Sequence, residues 1–300
     1  LRMLEHILLK SRGKINLTLD VLGKREDGYH EIETIMQSVY LYDTVFLKKL
    51  KEDEIKIETN LPYLPTDNKN IVYKTIELIK NKYSVDFGVY ADIVKSIPVA
   101  AGMAGGSSNA AVTILGLNKI FDLNMTFDEM LKLGATLGAD VPFCLYEGTA
   151  KAAGIGEKIS VLSSHPFVYI LLVTPSINIS TKTVFESLDL SGMRKHPNNE
   201  FVIEGIENKN LKMITDNFCN VLETVTEKNH PIISDLKETL NKNNALNSAM
   251  SGSGPTVFAY FKRREDAVSA AKHIKKNFDC IRNIIITRTY NPKKRIDDIG

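Results

Sequence analysis

The sequence predicts an α+β protein built in two domains. Three observations carry that reading. Strand-like runs crowd the first half, with only three helix-like stretches among them, and the second half reads as helices followed by a β-α-β unit. Strands and helices do not alternate strictly, as a doubly wound parallel sheet would require. The chain of 300 residues is longer than one compact core usually holds. The expected boundary falls near residue 160, giving domains 1–160 and 161–300.

Taken in order, residues 6–9 and 15–22 read as strands, punctuated by Lys14 and Asn16. Residues 23–28 form a polar turn, and 29–40 a half-buried strand. Residues 45–50 and 55–59 are further strands, and 61–69, with Pro62 and Pro65, a loop. Ile71, Thr75, Ile76 and Ile79 recur at helical spacing within 70–82. A β-like run over 87–97 leads to a helix over 107–121. Thr126 and Glu129 make a capping-box pattern at the head of a helix over 126–137, which Gly138 to Pro142 interrupts. Residues 148–155 are small and glycine-rich, and 154–157 read as a turn. A buried-type strand at 168–173 is followed by a helix at 181–188, a loop at 191–199 and two or three helices within 201–243. A glycine-serine loop at 250–255, a strand at 256–261, a helix at 264–277 and a strand at 281–290 complete the chain.

The organising stretch runs from Pro98 through Val99, Ala100, Ala101, Gly102, Met103, Ala104, Gly105 and Gly106 to Ser107 and Ser108. Strand, small-residue loop and helix together make a geometry that holds phosphate. Glycine lets backbone N–H groups approach an anion without a Cβ clash, and a helix N-terminus adds unpaired donors and a positive dipole end. Ser107 and Ser108 stand where the helix is expected to begin, so their hydroxyls cap it or touch a phosphate or its magnesium ion. A bare glycine turn needs fewer tiny residues than this loop has.

Composition excludes several classes. Net charge is +2, with 43% hydrophobic and 25% charged residues, so nothing points to nucleic acid or a membrane. The basic clusters at Lys48, Lys49, Lys51 and at Lys293, Lys294, Arg295 read as solvated surface. Three scattered cysteines, Cys144, Cys219 and Cys280, give no disulfide framework or metal motif. With no signal-peptide pattern and no membrane-length apolar run, a cytoplasmic protein is expected. There is no Walker loop, Rossmann fingerprint, nucleophile elbow or H-E-x-x-H, and the kinase-like tripeptide Asp86-Phe87-Gly88 has no catalytic loop before it.

The central loop resembles the P-x-x-x-G-L-x-S-S signature of the GHMP kinases. Gly13-Lys14-Ile15-Asn16-Leu17 is similar to the opening A-K-[IL]-N-L strand of that family. Gly23 to His30 resembles G-x-R-x-D-G-Y-H, typical of one branch whose acceptor is a cytidyl diphosphate sugar alcohol. Leu137 to Phe143 and Met250 to Pro255 are similar to that branch's later motifs. The motifs span residues 13 to 255 in the expected order. There are departures: Ala100 and Ala104 stand where relatives have glycine, Met103 where leucine is usual, and Gly13 where alanine is common. Each keeps a small or apolar side chain, so the loop is expected to keep its shape. The family's glutamate ligand for magnesium has no counterpart that can be placed here, so the metal ligands stay open.

The resemblance implies a two-domain GHMP-kinase-like fold with its active site in the cleft between domains. It also implies an ATP donor with Mg2+ as counter-ion, and phosphorylation of the acceptor's C2 hydroxyl. Such a hydroxyl needs a base, for which Asp140 is the candidate, and a nearby ammonium that stabilises charge on oxygen, for which Lys14 is. From the residues alone Asp140 reads first as a cap for the segment at Pro142, and Lys14 as an edge or solvent-facing strand residue. A cytosine offers a flat face and a hydrogen-bonding edge. Tyr29 and Phe185 are the stacking candidates and His30 the edge partner, with a cross-strand aromatic, a helix core residue and a surface turn as their respective alternatives. Asn16 and Thr181 are expected to bond the sugar-alcohol or phosphate portion. Asn70 and Lys95 are expected to border the adenosine, Asn109 to be a first-turn helix residue, and Ser251 to Gly254 to line the acceptor side. The expected partners are these two small molecules, with oligomeric state open.

Overall fold

The computed structural model describes residues 4–84, 88–192 and 195–293. Asp86 and Phe87 of the kinase-like tripeptide, and Lys294 and Arg295 of the C-terminal basic cluster, lie outside the described residues.

Two long antiparallel strands form the spine, β1 (His6–Lys24) and β2 (His30–Leu50). They pair from His6 opposite Lys48 to Lys24 opposite His30. Each replaces two shorter strands expected from the sequence. The polar residues that looked like punctuation, Lys14 and Asn16, lie inside β1 at register shifts flanking residues 12–14 and 16–18. Such irregularities bend a strand and re-aim its side chains. β3 (Ile55–Thr59) and β4 (Gly88–Val94) extend the sheet beside the second half of β2. β5 (Thr149–Gly154) pairs with the first half of β2 and carries β6 (Lys158–Val161).

β7 (Tyr169–Pro175) opens a second sheet. β8 (Cys219–Asn220) returns to the first sheet as a parallel addition to β1 at Thr18 and Leu19, bringing it to seven strands. β9 (Asn247–Met250), β10 (Val257–Phe261) and β11 (Ile281–Arg288) complete a four-stranded antiparallel sheet in the order β11-β7-β10-β9. Strands β6, β8 and β9, of four, two and four residues, escape the sequence reading because so few positions show no period.

On the first sheet lie α1 (Ile71–Tyr83), α2 (Gly105–Ile120), α3 (Phe127–Leu137) and α4 (Val141–Tyr146), around a core that includes Met36, Leu47, Ile76, Ile114 and Phe143. The expected capping box forms: Thr126 Oγ1 accepts from the Glu129 N–H, and the Glu129 carboxylate accepts from the Thr126 N–H. In the second half α5 (Thr181–Glu186) is followed by four helices, α6 (Asn199–Glu207), α7 (Leu211–Asp216), α8 (Glu223–Asn229) and α9 (Ile232–Lys242), which fill the expected helical stretch 201–243. The sequence suggested two or three there. α10 (Arg264–Asn277) matches its expected span. Leu171, Val173, Leu236, Phe261 and Ile274 share the second core. A third core joins the halves, with Ile15, Leu17 and Ile35 from the first sheet meeting Ile170, Leu172, Phe258 and Tyr260 from the second. No helix among the described residues is long and apolar enough to cross a membrane.

Candidate active site

The loop between β4 and α2 is shaped by alternating left-handed residues. Ala100, Gly102 and Ala104 have φ of 51°, 74° and 55°. Turning every second residue this way aims neighbouring N–H groups at a common point. α2 begins at Gly105, two residues earlier than expected, and Ala104 at its N-cap offers no side-chain acceptor. The serines therefore do not cap the helix, and the N–H groups of Gly105, Gly106 and Ser107 have no acceptor within it. Loop and helix start line a cavity of about 440 Å3 that also takes in Pro65, Asn70 and Lys95. Pro98 through Ser107 all border it. Ser108 does not: it is buried and hydrogen-bonded to the Cys144 thiol, which burial pushes up in pKa.

An alanine in the left-handed region costs roughly 1–2 kcal/mol, so surrounding contacts must hold Ala100 and Ala104. Ser251 Oγ donates to the Gly102 carbonyl at 2.9 Å, and the Lys14 N–H to the Met103 carbonyl at 3.1 Å. Arg282 donates to the Val99 carbonyl at 3.0 Å. A Cβ on Gly102 would sit 2.0 Å from the Ser251 carbonyl oxygen, so only glycine fits. Below the loop, buried Asp43 accepts from the N–H groups of Ser96 and Ile97 at 2.7 and 2.8 Å, and it pairs with Lys95 and the Asn109 amide. The Lys95 ammonium also reaches Asn109 Oδ1 at 2.9 Å. Lys95 thus borders the cavity while its charge is held by Asp43. Asn70 borders it too, with its side chain engaged as the α1 cap, accepting from Val72 and donating to the Pro65 carbonyl. Asn109 is a helix residue bonded inward to Ser11, Asp43 and Lys95; because α2 starts at Gly105, it falls just past the first turn, in which the sequence placed it.

Beside the loop, Lys14 is 4% exposed. Its ammonium donates to Asn16 Oδ1 at 2.7 Å and lies 3.4 Å from Asp140 Oδ2. Asp140 occupies the N-cap position of α4, yet its backbone is α-helical (φ −81°, ψ −11°) and its carboxylate makes no capping bond. The carboxylate is turned to the lysine, with its side chain one-third exposed (34%). Ser107 Oγ lies 3.7 Å from where a Cβ on Gly138 would stand, so the helix start faces the turn that presents Asp140.

A second cavity, of about 560 Å3, opens on the other side of that turn. Tyr29, His30, Thr181 and Phe185 all line it, together with Ala139. The rings of His30 and Phe185 stack at 5.2 Å with 34° between planes. Burial, and then the Lys24 charge, lower the His30 pKa. Tyr29 is exposed (61%), its ring free at the rim. Thr181 Oγ1 bonds Ser253 Oγ at 2.8 Å, tying α5 to the 251–254 loop. That loop touches a lining residue of each cavity, Gly252 standing against Gly102 and Ser253 against Thr181, with Asn16 also beside Gly252. Asn220, on β8, holds it by donating to the carbonyls of Met250 and Gly252, both at 2.8 Å. Asn220 and Asp43 escaped the sequence reading. Asp43 had left a trace: it shares the inward-facing period of Val45 and Leu47, where a carboxylate is out of place.

A loop that turns backbone N–H groups toward one cavity, beside a lysine–carboxylate pair and a second cavity, suits a small-molecule phosphotransferase. Residues 70–148 match the family described as GHMP kinases N terminal domain, and residues 202–280 that described as GHMP kinases C terminal. The chain belongs to the GHMP kinase family. Among its relatives it is 49% identical to the 4-diphosphocytidyl-2-C-methyl-D-erythritol kinase of Clostridioides difficile, over 92% of this chain and 93% of that one. It is 45% identical to the kinase of the same name from Lachnospira eligens, over 96% of this chain and all of that one. The crystal structure of a 4-(cytidine 5'-diphospho)-2C-methyl-D-erythritol kinase superposes with a TM-score of 0.81 at 25% identity, covering 95% of this chain and the whole of that one.

Proposed function

We propose that this kinase transfers the γ-phosphoryl group of ATP to the C2 hydroxyl of 4-diphosphocytidyl-2-C-methyl-D-erythritol, a step toward isoprenoid precursors by the non-mevalonate route. The observation that carries the reading is the second cavity: an aromatic rim of Tyr29, His30 and Phe185 reached through Ala139, the neighbour of Asp140. A base held there by stacking points its sugar-alcohol arm toward the carboxylate.

The loop from Pro98 to Ser107 grips the triphosphate through backbone donors, and the Leu64–Asn70 side of the first cavity takes the nucleoside. Asp140 accepts the proton of the C2 hydroxyl. The hydroxyl oxygen forms the new bond to phosphorus, the bond to the β-phosphate oxygen breaks, and ADP leaves. Lys14 stabilises oxygen charge beside Asp140, and catalysis rests on alignment and electrostatics. Neutral His30 offers one acceptor nitrogen and one donor to the edge of the base.

Magnesium fits as a partner of the nucleotide. Among the described residues no group of three or more His, Cys, Asp or Glu could cage it. A Mg2+ ion held mainly by phosphate and water, with the Ser107 hydroxyl and Asp140 carboxylate as nearby protein oxygens, needs no such cage. When bound it neutralises phosphate charge.

The test is ADP release with a panel of acceptors: the cytidyl substrate, homoserine and mevalonate. Turnover confined to the cytidyl substrate is expected. Turnover with homoserine and none with the cytidyl substrate would overturn the assignment.

A further inference from the structure

Lys14 meets Asp140 at the end of a buried chain of hydrogen bonds whose direction is fixed at its other end. The Thr18 carbonyl can only accept, so Thr34 Oγ1, at 2.5 Å, must donate to it. That commits the Thr34 hydroxyl proton and leaves its oxygen to accept from Asn16 Nδ2 at 2.8 Å. With its NH2 group committed, Asn16 must present Oδ1 on the other side, where it accepts from Lys14 Nζ at 2.7 Å. The ammonium, so anchored, lies 3.4 Å from Asp140 Oδ2. Thr18, Thr34, Asn16 and Lys14 are all buried, so water does not compete for these bonds.

We infer that Thr34 is a positioning residue of the phosphotransfer site, fixing the orientation of the Asn16 amide and through it the Lys14 ammonium. Without the hydroxyl oxygen the buried Asn16 Nδ2 loses its acceptor, and only the Lys14 end of the amide remains held. An Asn16 side chain that turns to find a new acceptor for Nδ2 carries Oδ1 away from the ammonium and lets Lys14 drift out of line with Asp140. Thr34 lines neither cavity, and of its two side-chain partners, the Thr18 carbonyl and the Asn16 amide, Asn16 is the one bonded to Lys14. Thr34 lies on β2 opposite Leu19, beside the register shift between Asn16 and Thr18.

The inference rests on the assignment of Lys14 and Asp140 above, and a double-mutant cycle tests it separately. Thr34→Val keeps the volume and removes the hydroxyl. It is expected to lower kcat about tenfold to a hundredfold, the usual result of misplacing a catalytic group by a fraction of an ångström to an ångström, while KM for ATP stays within about twofold. In an Asn16→Ala background the same change is expected to lower kcat no further. Thr34→Ser, which retains the hydroxyl, is expected to keep kcat within about threefold of the parent. If Thr34→Val does not accumulate folded, Thr34→Cys, with its weak hydrogen bonding, carries the same comparison. Wild-type kcat in Thr34→Val, an equal loss in both backgrounds, or a Thr34→Ser variant as slow as Thr34→Val would each overturn the inference. Lys14→Ala and Asn16→Ala run alongside: if both leave kcat unchanged, the fault lies with the assignment of the site and not with Thr34.

Discussion

The two cavities are of similar size, about 440 and 560 Å3, and are built from opposite materials. The first is walled by backbone, its loop residues small and three of them left-handed. The second is walled by side chains: two aromatic rings, a histidine and a threonine hydroxyl. A cradle of N–H groups recognises a polyphosphate, which has many equivalent oxygens and no distinguishing shape. Rings and an imidazole recognise a flat base with a patterned edge. The difference separates what any kinase of this architecture must do from what selects one acceptor.

Substitutions should therefore divide by cavity. The largest structural effect is expected at Gly102→Ala. Its Cβ would sit 2.0 Å from the Ser251 carbonyl oxygen at a φ of 74°, so stability should fall by at least about 2 kcal/mol. Thermal unfolding and the KM for ATP report it, and KM for ATP should rise more than KM for the acceptor. A harmless Gly102→Ala would mean the loop is not held by the 251–254 contact.

Next come Tyr29→Ala and Phe185→Ala. Stacking of a base on an aromatic ring is worth about 1–3 kcal/mol, so each change should raise the acceptor KM roughly tenfold and leave KM for ATP within about twofold. An effect confined to ATP would reverse the assignment of the two cavities.

The acceptor cavity also carries a titrating group. Burial and Lys24 disfavour the His30 imidazolium, so the ring is neutral at neutral pH and charges only below the usual histidine value of 6.5. The acceptor KM should stay flat through neutral pH and rise only below that value. KM for ATP should not follow, and His30→Gln should remove the rise. The smallest effect is expected at Ala104→Gly. Relief of the left-handed alanine is partly offset by a more flexible unfolded chain, leaving a gain of about 1 kcal/mol or less, read from the unfolding midpoint.

The same contrast explains what the sequence disclosed. The loop between β4 and α2 was legible because a tightly turned backbone with three left-handed residues favours a run of tiny side chains. Tyr29, His30, Thr181 and Phe185 line one cavity while Asn16 lies outside it; they were named through the family resemblance, and nothing in the spacing of residues 29 and 185 brings them together. Asp140 looked like a helix cap and takes the cap position, yet its carboxylate faces Lys14. Sequence shows the position of a cap and not the direction of its side chain. Lys14 and Asn16 looked like breaks in a strand because polar residues interrupt an apolar period; burial for function produces the same interruption. Asp43, Asn220 and Thr34 act on loops and amides far away in sequence, through contacts only the tertiary fold creates.

The pairing of cradle and carboxylate is tested most directly by single-turnover phosphoryl transfer in Asp140→Asn, measured beside the affinity for a non-hydrolysable ATP analogue. Loss of a general base should slow transfer by at least about a hundredfold, with analogue affinity within about threefold of the parent. Transfer at the parent rate, with the acceptor bound normally, would contradict the account.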